Sequence, residues 1–423
     1  MIHPEWGYNA VIYEVNIRQY TPEGTFAAFE PHLSRLKDMG VTVLWFMPVC
    51  PIGKINRKGS LGSYYSISDY KAVNPEFGTM EEFKRLVAKA HEMGFKVLMD
   101  MVTNHTAWDH VWLKEGHREW YEQDERGNVV TPYDWTDTAK LDYKNAEMRR
   151  AMIDALEFWI REVGIDGYRQ DMAGLVPLDF WEEAVPRLRS VNSELFMLGE
   201  VESPDYHRNN TFDATYAWEF GHLIERIARK EASVDGLRNL LNHDKTVFPY
   251  DAFRLLFTSN HDENSWSGSE SERFGPAQEC MAVLTYILNG IPLIYSGQEA
   301  GSAKRLAFFE KDLIDWSSLN DYTPFYKELN KLRRENPALR SGERGGEVIY
   351  FHSSQPYNVL AIKRKQGDNI VMGVFNLTPY EIQPAFWDED YKGVYNKLFY
   401  GEQQLYPGQY DPFGPWEYKV YYK

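Results

Sequence analysis

The chain has 423 residues, 43% of them hydrophobic and 26% charged, proportions that suit one large globular domain with an appendage. A formal net charge of −16 disfavours nucleic acid, whose phosphates would be repelled, and fits a neutral or cationic small ligand better. No apolar run approaches the roughly 20 residues of a membrane-spanning helix, and two cysteines, Cys50 and Cys280, are too few for a disulfide framework and read as free buried thiols.

The stretch MIHPEWGYNAVIYEV has no basic segment followed by an apolar one, so no signal peptide is expected and the cytoplasm is the expected compartment. From there, short β-branched runs alternate with amphipathic segments. AVIYEVNI (10–17), VTVLWFM (41–47) and FKVLMDMV (95–102) predict buried strands; FAAFEPHLSRLKDMG and TMEEFKRLVAKAHEMG predict helices between them that end on glycine. Further strands are predicted in 165–171, 195–201, 214–219, 253–262 and 291–297, which brings the count to eight, the closure number of the (β/α)8 barrel. The expected fold is therefore an α/β TIM barrel over residues 1–104 and 145–341.

Residues 105–144 interrupt the alternation after the third strand. They are rich in Trp, Asp, Gly and His, and a connection of that length is usually functional or a small subdomain. Beyond Asn336-Pro337 the stretches EVIYFHSS, YNVLAIKRK, NIVMGVFNLT, VYNKLFYG and EYKVYYK read as strands with no helix between them, so residues 342–423 are expected to form an antiparallel β domain.

A barrel does its chemistry at the carboxyl ends of its strands, because the loops leaving there surround one mouth. This sequence puts Asp100, Asn104 and His105 after strand three, Arg169 and Asp171 at the end of strand four, Glu200 after strand five, and His261 and Asp262 after strand seven. Arg169 and Asp171 are two apart, hence on one face of their strand. Taken singly each has a plain structural reading: an Asx cap, a turn, an ion pair, a solvated strand end. Their gathering at one end of independently predicted strands favours a polar mouth.

Four stretches, DMVTNH (100–105), GYRQDMAG (167–174), FMLGEV (196–201) and FTSNHD (257–262), in this order and spacing, resemble the motif regions of the α-amylase family of glycoside hydrolases, family 13. The resemblance runs the length of the chain. It implies a retaining hydrolase of α-1,4-glucans such as starch and maltooligosaccharides, most simply an α-amylase, with Asp171 as nucleophile, Glu200 as acid/base and Asp262 as the third carboxylate. Such an enzyme holds its two reacting carboxyls about 5 to 5.5 Å apart. Arg169 would keep Asp171 ionised, and Glu200 is expected to carry its proton at rest. His105 and His261 would hydrogen-bond the sugar, Tyr65 would stack beneath it, and Arg305 would reach an outer glucose; Trp108, Trp112, Trp135 and Trp266 would lie around the mouth, some on sugar and some in loop cores.

The resemblance has gaps. Many members follow the nucleophile with an apolar pair and then Lys-His, whereas here Met172, Ala173, Gly174 and Leu175 follow Asp171. No organic cofactor is implied. Calcium is admitted but not predicted: Asn104 and Asp142 fall where ligands often arise, and the His is missing. Two alternatives stay open: a transglycosylase or glucosyl-transferring isomerase, which changes only the acceptor, and a non-catalytic sugar-binding protein, against which the three acidic positions weigh.

Overall fold

Eight short strands, each with its side chains almost wholly buried, form the centre of the protein. The structure, a computed structural model, describes residues 3–423. The strands are β1 (Ile12–Val15), β2 (Val43–Phe46), β3 (Lys96–Val102), β4 (Gly167–Asp171), β5 (Phe196–Gly199), β6 (Ala214–Tyr216), β7 (Phe253–Leu256) and β8 (Ile291–Tyr295). They close a parallel barrel in sequential order, with β8 beside β1, and the C-terminal sheet follows as a separate antiparallel layer. Burial on both faces explains why these runs read as continuous Val, Ile, Leu and Met rather than as alternating polar and apolar residues.

Helices between the strands follow their local signals. In α1 (Met80–Glu92) the Thr79 hydroxyl accepts from the Glu82 N–H while Glu82 accepts from the Thr79 N–H, a reciprocal cap; Phe83, Leu86, Val87 and Ala90 form the buried stripe. Each large apolar side chain of such a stripe contributes about 2 kcal/mol by leaving water. In α2 (Ala146–Glu162) Asn145 caps the first turn, and Met148, Met152, Leu156 and Trp159 are buried.

The chain divides into two compact units, one built on Ile12–Tyr216 and Leu306–Ile314, the other on Glu5–Val11, Ala217–Arg305 and Asp315–Lys423. Strands β1–β6 belong to the first, β7 and β8 to the second. Within the first unit, the stretch after β3 carries a two-stranded antiparallel hairpin, His105–Ala107 with Thr138–Lys140. In the second, β9 (Ile349–Tyr350), β10 (Val359–Gln366), β11 (Asn369–Asn376), β12 (Gly393–Lys397), β13 (Gly401–Leu405) and β14 (Tyr418–Tyr422) make one sheet in the order β9-β10-β11-β14-β12-β13. Gly367, at φ +60°, sits in the two-residue turn that joins β10 to β11, where Gln366 pairs with Asn369. Val359, Met372, Val374, Phe386 and Tyr421 are in the sheet's own apolar core.

Cys50 and Cys280 are both free and buried, and burial pushes both thiols well above their ordinary pKa. Among the described residues no helix is long and apolar enough to cross a membrane.

Candidate active site

Strand register explains why a guanidinium belongs on β4. Asp100 of β3 pairs directly with Arg169, and Arg169 with Leu198 of β5, so one side chain on β4 is flanked by the strand ends that carry Asp100 and Glu200. Arg169 is wholly buried. Its Nη1 donates to Asp100 Oδ1 and to Asp171 Oδ1, each at 3.0 Å, and its Nε donates to the Tyr216 hydroxyl at 3.1 Å. Nη2 lies 3.0 Å from Glu200 Oε2 off the N–H axis, a Coulombic contact rather than a hydrogen bond. Burial alone would lower the Arg169 pKa; the carboxylates of Asp100 and Glu200 outweigh it and raise it well above the ordinary value.

The cation is walled by aromatic rings. Its centre is 5.2 Å from the Trp45 ring, 5.6 Å from Tyr216 and 5.7 Å from Tyr65. Asp100 is fixed from a second side, accepting at Oδ2 from the Tyr65 hydroxyl (3.0 Å) and from Trp45 Nε1 (3.2 Å). Asp100 is therefore neither a helix cap nor a turn residue: it anchors Arg169.

Glu200 follows β5, and its Oε2 also accepts the main-chain N–H of Met172 at 2.6 Å. Met172 adopts φ +44° and ψ +41°, a left-handed conformation that costs a side-chain-bearing residue about 1 to 2 kcal/mol. The strain turns the N–H after Asp171 toward Glu200. Asp171 and Glu200 remain slightly exposed, 9% and 7% by side chain, whereas Arg169 and Asp100 are sealed. Such a graded burial suits a site whose reacting groups face a ligand and whose supports do not.

Tyr65 stands near-parallel to Phe308, ring centres 6.1 Å apart. His105, on the hairpin, is buried; desolvation pushes its imidazole down to about 4, against a hydrogen bond with the Tyr65 main chain that acts upward, so it is neutral at pH 7. Its Nδ1 is 3.1 Å from Asn104 Nδ2, and Trp135 packs 5.3 Å away. Trp108 donates to the Thr136 carbonyl, and Trp112 packs against Tyr70, His110 and Trp120.

In the second unit, β7 stops at Leu256, and His261 and Asp262 open a helical turn that widens into a π-helical one over Glu263–Ser267. His261 is buried with Nε2 3.1 Å from Asp262 Oδ2, while the Asp262 side chain is 44% exposed. Arg305 Nε pairs with Glu272 Oε2 at 2.7 Å, half-exposed, and Trp266 is exposed.

The structure thus gathers Arg169, Asp171, Glu200, Tyr65 and His105, and adds Asp100, Trp45, Tyr216 and the Met172 N–H. The sequence held a signal for Asp100, a carboxylate at the end of the third predicted strand; it held none for Tyr216, at the end of a strand only three residues long. Asn104 and Asp142, the two positions named above for calcium, are placed as follows. The Asn104 amide is turned to His105 and Asp142 Oδ1 accepts the Lys144 N–H at 3.0 Å; among the described residues no group of three His, Cys, Asp or Glu is placed to hold a metal.

The chain is similar to known proteins over most of its length. The profile described as "Alpha amylase, catalytic domain" matches residues 18–138 and 115–341. A noncanonic maltogenic α-amylase, AmyB, from Thermotoga neapolitana superposes with a TM-score of 0.89 at 28% identity over 98% of each chain. An α-amylase from Lactobacillus plantarum gives 0.88 at 29%, covering 98% of this chain and 99% of that one. α-Amylase MalA of Haloarcula japonica is 30% identical over 349 residues, 79% of this chain and 50% of that protein, so this chain spans half the length of that relative. With a profile match over most of the barrel and an arginine-centred carboxylate cluster at its strand ends, the chain belongs to the α-amylase family of glycoside hydrolases.

Proposed function

We propose that the protein is a retaining α-amylase that cleaves internal α-1,4 bonds of starch and maltooligosaccharides. The observation that carries this reading is one guanidinium, Arg169, set between Asp171 and Glu200. Three carboxylates, those of Asp100, Asp171 and Glu200, face that single cation, and the acid/base role assigned to Glu200 asks it to carry a proton when substrate binds. Oε2 of Glu200 already accepts the Met172 N–H and faces Arg169, which puts the transferable proton on Oε1.

In the first step that proton goes to the glycosidic oxygen while the Asp171 carboxylate attacks the anomeric carbon; the C–O bond breaks, the shortened chain leaves as an alcohol, and a glycosyl ester remains on Asp171. In the second, Glu200 Oε1 takes a proton from water, the hydroxide attacks the anomeric carbon, and Asp171 is released. Arg169 stays bound to Asp171 Oδ1 throughout and steadies the carboxylate as leaving group. Asp262, in the helical turn that follows β7, is assigned to the oxocarbenium-like transition state, with His105 and His261 on sugar hydroxyls, Tyr65 beneath the ring and Arg305 at an outer glucose.

The test is a product time course on maltoheptaose that resolves size and anomer, run with Asp171→Asn beside the wild type. Shorter maltooligosaccharides released first as α-anomers, and loss of turnover in the variant with oligosaccharide binding kept, are expected. Products longer than heptaose would instead mean a transglycosylase, and unchanged turnover in Asp171→Asn would end the assignment.

A further inference from the structure

Outside the cluster around Arg169, Glu270 is a buried ionisable group with three side-chain partners, Thr258, Gln278 and Gln298. It is 4% exposed and opens the short helix α3 (Glu270–Phe274). Its Oε1 accepts the Thr258 hydroxyl and, at 3.0 Å, Gln298 Nε2; its Oε2 accepts Gln278 Nε2 at 3.0 Å. The amide of Gln298 is oriented by Tyr295, whose main-chain N–H donates to Gln298 Oε1 at 3.0 Å, and its Nε2 also reaches the Tyr326 hydroxyl at 2.7 Å. One turn further along α3, Arg273 donates Nη1 to the Thr258 carbonyl at 2.8 Å, holds Glu225 through Nε and Nη2 at 2.9 and 2.7 Å, and lies 3.1 Å from Glu263 Oε2.

These contacts grip one short segment at both ends. Thr258 is held by its hydroxyl and by its carbonyl; Glu263 is held by Arg273; between them are Ser259, Asn260, His261 and Asp262. We propose that Glu270 is a positioning residue for Asp262: the ionised Glu270 carboxylate, together with Arg273, clamps residues 258–263, and the clamp loosens when Glu270 takes up a proton. Every side-chain partner of Glu270 is a donor, so a proton on Oε2 would confront the Gln278 amide, and one on Oε1 would force the Thr258 hydroxyl to reverse. Desolvation raises the Glu270 pKa to about 7, against the Thr258 hydrogen bond, the Arg273 charge and the Gln278 hydrogen bond, which pull it down. Two further groups belong to the surroundings: Tyr326, whose pKa burial and the charge of Glu270 raise, and Glu299, which acts on Tyr326 more weakly. The inference rests on the role proposed above for Asp262, and its test is chosen to be readable without activity.

That test is amide hydrogen exchange of the 257–263 peptide, corrected for intrinsic rates, from pH 5.5 to 8.5 in the wild type, Glu270→Gln and Thr258→Val, with kcat and KM measured over the same range. In the wild type, protection is expected to rise with a midpoint near 7; in Glu270→Gln it is expected to be flat across the range. Thr258→Val, which keeps the carboxylate but removes a donor to its ionised form, is expected to move the midpoint upward. Above pH 8, Glu270→Gln should lower kcat about tenfold with KM changed less than about twofold. A flat wild-type profile, a Glu270→Gln profile that keeps the wild-type midpoint, or an unmoved midpoint in Thr258→Val would each overturn the proposal. If the protein turned over no glucan, the exchange profiles would still decide between these outcomes.

Discussion

The main-chain N–H of Met172 donates to Glu200 Oε2 across 2.6 Å, so the residue after the proposed nucleophile holds the proposed acid. That bond depends on a left-handed backbone at Met172, φ +44°. Met172→Gly keeps the N–H and tolerates the angle, so kcat should stay within about twofold and stability should change by less than about 1 kcal/mol, strain relief offsetting the added freedom of the unfolded chain. Met172→Pro removes the donor and fixes φ near about −65°, and kcat should fall by about 100-fold or more. Steady-state kinetics beside thermal unfolding separates the two effects.

Arg169→Lys is not a conservative change here. A lysine presents one ammonium, whereas Arg169 reaches Asp100, Asp171, Glu200 and Tyr216 through three nitrogens. At least one buried carboxylate would lose its cation. A stability loss of about 3 to 5 kcal/mol is expected in chemical denaturation, with kcat reduced by more than about 100-fold; wild-type stability with lysine would mean that the carboxylates do not need the fork.

Gly199 precedes Glu200, and a Cβ built there would lie 2.8 Å from the Phe212 ring. Gly199→Ala must displace that ring or the end of β5. Because the next residue is Glu200, kcat should drop about tenfold or more while the far-UV circular dichroism stays native. A fully active Gly199→Ala would show that Phe212 gives way instead.

His110 makes stability fall with acid. Burial pushes its pKa down from 6.5 to about 3, and the Lys114 charge adds to the shift. Its Nδ1 accepts the Trp112 N–H, so the ring is neutral with its proton on Nε2. The unfolded chain takes up a proton below its own pKa of about 6.5 while the folded chain does not until near 3, so stability declines as pH falls through that window, by a few kcal/mol in all. Denaturant midpoints against pH should therefore fall less steeply between about pH 6.5 and 4 in His110→Gln than in the wild type. Equal slopes would place the acid lability elsewhere.

The barrel was legible because its strands are buried runs and several helices carry their own caps: Thr79 with Glu82, Asn145, and Gly40 in the left-handed conformation after Met39. Arg169 and Asp171 could be placed on one face because strand period alone fixes that. What Arg169 touches could not be read in the same way. Tyr216 and Trp45 are unremarkable aromatics until strand register sets them around the guanidinium, and the hairpin that holds His105 pairs positions more than thirty residues apart with only three residues per strand. Asp262, expected at the end of a long seventh strand, stands instead in a helical turn, since β7 ends at Leu256 and the residues between obey side-chain contacts rather than propensity.

The two cysteines have a practical consequence. The Cys50 Sγ lies against the Tyr70 carbonyl at 3.9 Å, Cys280 is buried, and burial raises both thiols far above neutral pH, so alkylating reagents have no thiolate to attack in the folded protein. A single cysteine introduced at an exposed position, for example in place of Trp266 beside the Asp262 turn, would be the one site that maleimide dyes modify under native conditions. The wild-type sequence therefore already serves as the cysteine-silent background for fluorescence or spin-label measurements of the 258–263 segment.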